Sequence, residues 1–278
     1  MNGHDPRTTL ARDDLASADL ETLVRAARYV EPTIARVIRS SAAVHRSAAV
    51  GAGQVDQLLF GELFDRIACV DAIAWGRARR DGYVGFVDAS ALSSGLRSPT
   101  HRVGVLRTFA FEAPSIKSPA AGHLSLNSLV EVAEEDGALA LVADFGWVPG
   151  RHLTPIGTFA TDPATIAEQF VGTPYLWGGR DSLGLDCSGL VQQSLYACGL
   201  ACPRDSDQQA MLGHATPDAA LRRGDLVFWR GHVGMMLDGE RLIHANGHHM
   251  AVAIEPLAVA VARIDSFEGR RPIACRRL

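Results

Sequence analysis

Apolar and polar positions follow three regimes along the chain. In residues 15 to 30, "LASADLETLVRAARYV", Leu20, Leu23, Val24 and Ala27 recur on one face at helical spacing, with Ser17 as cap and Pro32 as stop. This predicts an N-terminal helical arm over residues 1–33. From about Val37 onward the pattern shortens to β-like runs bounded by Gly, Asp and Ser. Two of these runs end alike, in Gly85-Phe86-Val87 and Gly146-Trp147-Val148, as if one unit were used twice. Repeats of that size predict two small β-barrels, over 34–97 and 98–153, joined by the turn-rich "SSGLRSPT".

Beyond Pro155 the pattern changes again. "DPATIAEQFVGTP" reads as a helix with Ile166, Phe170 and Val171 on one side. A second helix carries Leu190, Val191, Leu195 and Cys198, and starts near Asp186 to Ser188. Strands "DLVFW" and "HVGMML", a turn at Asp238-Gly239, and "RLIHAN" follow. Helices ahead of an antiparallel sheet predict an α+β domain over 154–278.

Composition narrows the function classes. Of 278 residues, 47% are hydrophobic and 21% charged, which gives ample material for globular cores. A net charge of −4 leaves no footprint for nucleic acid or an anionic membrane surface. No window reaches the roughly 20 apolar residues of a membrane span. The first residues are acidic and lack an apolar signal segment, and the 5 cysteines make an odd count. Both features point to a reducing, cytoplasmic location. Cys198 and Cys202, with His214 beyond, lack a second ligand pair at zinc spacing and read as structural, so no metal or organic cofactor is implied. Cys69 and Cys275 fit strand cores, and His248 and His249 need no role.

Cys187 stands apart. It falls in the first turn of the second helix, where unpaired N–H groups and the helix dipole favour a thiolate and lower its pKa. A thiolate there suits covalent catalysis. A buried cysteine is also an ordinary small core residue, so partners decide. His232 heads the strand "HVGMML", and His244 lies in "RLIHAN". A three-residue loop, Leu237 to Gly239 with Gly239 left-handed, pairs Met236 with Glu240 and sets His232 directly opposite His244. The first ring then acts as base, and the second, neutral ring orients it.

The pieces "GTPYLWGG", "DCSGL", "PRDSDQQ", "GDLVFW", "HVGMML" and "IHAN" occur in this order, and on them the C-terminal half resembles the NlpC/p60 cysteine peptidases. The resemblance implies a papain-like catalytic domain behind two SH3-like units. Cys187 would be the nucleophile, His232 the general base and His244 the third polar residue. Tyr175 would lie near the oxyanion, while Asp186, Ser188, Asp205 and Ser206 would meet the peptide substrate; Asp186 could instead be only a helix cap. Trp177 reads as packing. The front half, through "LLFGE" and "DGYVGFV", is similar to γ-D-glutamyl-L-diamino acid endopeptidases of murein peptide turnover. In those, an acid and a tyrosine bind the free amine of L-alanine, which points to Glu62 and Tyr83. The residues equally allow Glu62 as a solvated turn residue and Tyr83 as a barrel-core aromatic. Two other functions fit the same features: an amidase or acyltransferase of the same fold, and a non-catalytic peptide-binding module. The diamino acid, diaminopimelate or lysine, stays open, as does the oligomeric state.

Overall fold

The computed structural model describes residues 4–217 and 220–278. It falls into two compact units that divide between Ile156 and Gly157.

In the first unit, residues 33–93 build a seven-stranded sheet. Its strand order is Gln54–Leu59, Ser41–His45, Val84–Asp88, Ile73–Ala78, Leu63–Val70, Thr33–Val37 and Leu92–Ser93. All the pairings are antiparallel, and Val37, Val44, Leu58, Phe64, Tyr83 and Val87 fill the core between them. Residues 101–155 make a second small β-body around Val103, Ala110, Leu124, Val142 and Val148. The repeat visible in the sequence is a repeat of structure. Val84–Asp88 runs into the 3-10 turn Ala89–Ala91 and the strand Leu92–Ser93. Gly146–Pro149 runs likewise into Gly150–His152 and Leu153–Pro155. Both leading glycines let strands approach closely: a Cβ on Gly85 would lie 2.3 Å from a Val44 methyl, and one on Gly146 2.7 Å from the Phe111 carbonyl oxygen. Leu153–Pro155 still pairs with His101–Val103, so the chain leaves the second β-body a little later than the sequence pattern suggests.

The segment "LLFGE" ties these two bodies together. Phe60 leaves the first sheet to pack in the second core, beside Val103 and Val148. Gly61 follows with φ +82°, its Cα pressed against the backbone of Leu129.

Among the described residues, the N-terminal arm is not a helix. Residues 16–30 form a short parallel pair, Ala16–Ser17 with Tyr29–Val30, and one 3-10 turn at Ala18–Leu20. The anchors are Leu10 and Leu15, which pack with Ile67 and Trp75, while Leu23 of the expected apolar face is 55% exposed. Arg12 adds a guanidinium 4.0 Å over the Trp75 ring. An isolated helix of this length is marginal in water, so burial of two leucines on the barrel overrides the periodicity.

The second unit is α+β. α1 (Pro163–Glu168) is capped by Asp162, whose carboxylate accepts from the Ala164 N–H at 3.0 Å. It is shorter than its pattern: Ile166 and Phe170 are buried, but Val171 falls beyond the helix and is exposed. α2 (Cys187–Ala197) is buried along its whole length, and α3 (Ser206–Gln209) is a single turn. A six-stranded sheet runs in the order His214–Ala215, Ala274–Arg277, Leu226–Trp229, His232–Met236, Arg241–Asn246 and Ala251–Pro256. A last helix, α4 (Leu257–Glu268), lays Ala260 and Ile264 on Val227, Met236 and Leu242 and ends at left-handed Gly269. Among the described residues, no helix is long and apolar enough to cross a membrane.

Candidate active site

The start of α2 is fixed by Asp186. Its Oδ1 accepts from the Gly189 N–H at 2.8 Å as an N-cap, and its Oδ2 accepts from the Gly178 N–H at 2.9 Å. Arg204 then grips both oxygens, Nη1 to Oδ1 at 3.0 Å and Nη2 to Oδ2 at 2.6 Å. The same Nη1 donates to the Ser188 hydroxyl at 2.7 Å, which itself donates to Asp186 at 3.1 Å. All three side chains are buried. Asp186 is thus a helix cap, and both it and Ser188, the residues expected beside the substrate, are held in place from within. Their polar atoms are engaged inside the fold, where they lock "YLWGG", the helix start and "PRDS" to one another. Asp205 likewise caps α3 in a capping box with Gln208, and Ser206 follows it, both half-buried.

Cys187 sits at the first position of α2, buried, with the N–H groups of Ser188 and Val233 directed at its sulfur. Since Val233 follows His232, one of these N–H groups comes from the residue next to the histidine that heads the strand. The expected lowering of the thiol pKa does not occur. Burial, with the Asp186 carboxylate adding to it, pushes the thiol up to about 12, against the two N–H groups and Arg204. Desolvation outweighs the helix terminus, so the resting sulfur is a thiol. Burial also drives His232 down to about 3, with His244 and Arg263 acting the same way and Glu255 opposing. The resting ring is a neutral imidazole.

His232 Nε2 lies 2.8 Å from His244 Nδ1. The hairpin that brings them together differs from the sequence expectation. Met236 pairs with Leu242 and Met235 with Ile243, and the Leu237 N–H bonds the Arg241 carbonyl. The loop is therefore Asp238 to Glu240, and Gly239 is not left-handed. Asp238 shapes it instead, its Oδ1 accepting from the N–H of Glu240 at 2.9 Å and of Arg241 at 2.7 Å. The register moves by two residues, which keeps both rings on one face and makes their contact diagonal.

The chain of contacts continues to a residue the sequence did not single out. His244 Nε2 lies 2.8 Å from Glu255 Oε1, and Arg263 of α4 holds the same oxygen. Glu255 was missed because its strand and α4 follow the last recognisable motif; its signal was a lone acid in "AVAIEP". The only His, Cys, Asp and Glu donors grouped as a metal could use them, among the described residues, are those of His244, His249 and Glu255, within 4.8 Å of one another. The Arg263 guanidinium already occupies that carboxylate, and a cation placed there would meet it at close range.

Tyr175 is half-buried, and burial first, then Cys187 and Asp186, raise its pKa, so the hydroxyl stays a donor within electrostatic reach of the sulfur. Trp177 does not pack; it is 61% exposed, because Gly178 turns the backbone inward to Asp186 and leaves the ring outside. Cys69 is also exposed, at the end of its strand. In the first unit, Tyr83 is a core aromatic. Glu62 is buried, not a solvated turn residue; it accepts from the Leu59 N–H and from Arg80, each at 3.1 Å.

A cysteine on a buried helix, set against histidines of an antiparallel sheet, is the architecture of papain-like folds. Residues 172–264 match the NlpC/P60 family, and residues 44–92 match the bacterial dipeptidyl-peptidase SH3 domain. The chain thus carries an NlpC/P60 domain with a bacterial dipeptidyl-peptidase SH3 domain ahead of it. A γ-D-glutamyl-L-lysine dipeptidyl-peptidase of Bacillus subtilis is 34% identical over 43% of this chain and 45% of its own length. One of Bacillus cereus is 32% identical over 40% and 36%. Peptidoglycan endopeptidase RipB of Mycobacterium tuberculosis is 32% identical over 32% and 44%. The matched part spans less than half the length of each. The crystal structure of an NlpC/P60 family protein from Bacillus cereus shares the fold, with a TM-score of 0.73 at 20% identity over 88% of this chain and 99% of that one.

Proposed function

We propose that the chain is a thiol peptidase that hydrolyses the bond between γ-D-glutamate and the diamino acid in peptides derived from murein. The observation that carries this reading is the 2.8 Å contact from His232 Nε2 to His244 Nδ1, on the strand whose Val233 N–H meets the Cys187 sulfur. Because thiol and imidazole both rest neutral, His232 acts as a true general base. It takes the Sγ proton as the sulfur attacks the γ-glutamyl carbonyl. Negative charge gathers on the carbonyl oxygen, where the Cys187 N–H and the Tyr175 hydroxyl donate. The imidazolium protonates the departing amine, and water then cleaves the thioester.

The finer specificity in this proposal is for a peptide with a free N-terminal L-alanine, bound through Glu62 and Tyr83. Both residues fall in the matched SH3 segment, and the Bacillus relatives are named dipeptidyl-peptidases, which fits a peptidase that measures from a free amine. Asp205 and Ser206 are proposed to line the peptide path. An odd count of 5 cysteines suits a reducing compartment, so the proposed setting is cytoplasmic turnover of wall peptides. The test is to incubate the protein with L-Ala-γ-D-Glu-L-Lys and its meso-diaminopimelate analogue, each with a free and an acetylated amine. Mass spectrometry should find L-Ala-D-Glu released from free peptides only. Equal cleavage of the acetylated forms would remove the amine specificity, and no cleavage of any would remove the peptidase.

A further inference from the structure

The two histidines form part of a longer chain that crosses three neighbouring strands and ends on a helix. His232 is on His232–Met236, His244 on Arg241–Asn246 and Glu255 on Ala251–Pro256. Leu242 pairs with Glu255 and His244 with Ala253, so Glu255 sits one diagonal step from His244 on the same face. Arg263, on α4, closes the end.

The donors and acceptors along this chain are determined in sequence. Burial opposes ionisation of Glu255, but the hydrogen bonds from His244 and Arg263 prevail and hold it at about 2, so its oxygens only accept. His244 Nε2 must therefore carry a proton. Burial keeps His244 neutral, against the pull of Glu255, which leaves its Nδ1 as an acceptor. The proton in the 2.8 Å contact then belongs to His232 Nε2. A neutral His232 has one lone pair left, on Nδ1, the ring nitrogen nearest its own backbone. The next residue on the strand, Val233, has its N–H acting on the Cys187 sulfur.

We infer that Glu255, anchored by Arg263, is a positioning residue that sets the tautomers of His244 and His232 and so aims the lone pair of His232 Nδ1 at Cys187. This rests on the thiol-peptidase reading for its purpose, though not for its geometry. The step it serves is proton transfer alone: the Sγ–H bond breaks, an Nδ1–H bond forms, and the carboxylate stabilises the resulting imidazolium through His244 without itself taking the proton. A neutral third residue would orient the ring without that charge.

Two measurements test it on the full chain. In the unmodified protein labelled with 15N-histidine, two-bond 1H–15N spectra report each tautomer; both His232 and His244 should carry the proton on Nε2. A proton on Nδ1 of His244 would overturn the inference, whatever any variant does. In the second, iodoacetamide labelling of Cys187 is followed by peptide mapping for the unmodified protein, Glu255→Gln and Glu255→Asp, with melting temperatures alongside. Glu255→Gln should slow labelling at neutral pH by about tenfold or more, as does losing roughly one pKa unit of imidazolium stabilisation. Glu255→Asp should recover part of that, and the rates should converge at high pH, where the thiolate forms unaided. In peptide hydrolysis the same loss should fall on kcat and spare KM. A folded Glu255→Gln protein that labels at the unmodified rate would also overturn the inference. Failure of the peptidase reading is a separate outcome: no peptide is cut, yet the tautomers and labelling stand as stated.

Discussion

Arg204 and Asp186 form a bidentate ion pair, 2.6 Å at its shorter contact, with side chains only 1% and 8% exposed. It sits directly before the residue we assign as nucleophile, and it joins three sequence motifs that are distant along the chain. Removing one partner strands a buried charge, at a cost of about 3–5 kcal/mol. Arg204→Met should lower the unfolding free energy by that order in a denaturant titration. The double variant Arg204→Met with Asp186→Asn should recover part of it, since neither charge is then left alone.

Tyr175 is expected to act in the transition state more than in binding. Its phenol is held protonated within electrostatic reach of the sulfur, so Tyr175→Phe removes one donor to the developing oxyanion. Loss of such a donor costs roughly 10²–10³ in kcat. Steady-state kinetics on a cleaved peptide should show that fall with little change in KM.

Acid should weaken the protein through the rings of His232 and His244. His232, with an ordinary value of 6.5, is driven by burial to about 3 in the folded chain. Between those values the unfolded chain binds a proton there and the native one does not, so stability falls as pH drops from about 6.5 toward about 3. His244, also lowered by burial, adds to the loss in its own window. Melting temperature against pH should show the decline, and His232→Phe should make it shallower.

Gly61 should be intolerant of any side chain. At φ +82°, a Cβ would lie 1.9 Å from the Leu129 carbonyl oxygen. The left-handed backbone costs an ordinary residue about 1–2 kcal/mol, and the overlap adds to it. Gly61→Ala should therefore destabilise the first unit by at least ~2 kcal/mol, read as an earlier unfolding transition, and loosen Phe60 from the second core.

The elements of this chain were more legible in its sequence than their contacts. The helix start at Cys187, the strands around His232 and His244 and the repeated β-bodies follow from local periodicity, turn residues and motif order. The N-terminal arm escaped because Leu10 and Leu15 gain more by packing on Trp75 than the segment gains as a helix. The hairpin register escaped because Asp238, through its side chain, and not Gly239, through its backbone, shapes the loop. The thiol pKa was misjudged because helix position is legible in a sequence and the extent of desolvation is not. Glu255 and Arg263 carry no motif; only folding of the last strand and helix brings them to His244.

The most direct test is the rate at which unmodified protein and Cys187→Ala cleave L-Ala-γ-D-Glu-L-Lys, or its diaminopimelate analogue, with both proteins shown to be folded. Loss of covalent catalysis should lower kcat by at least about 10³-fold in the variant. Cleavage by Cys187→Ala at the unmodified rate would contradict the assignment of that sulfur as nucleophile.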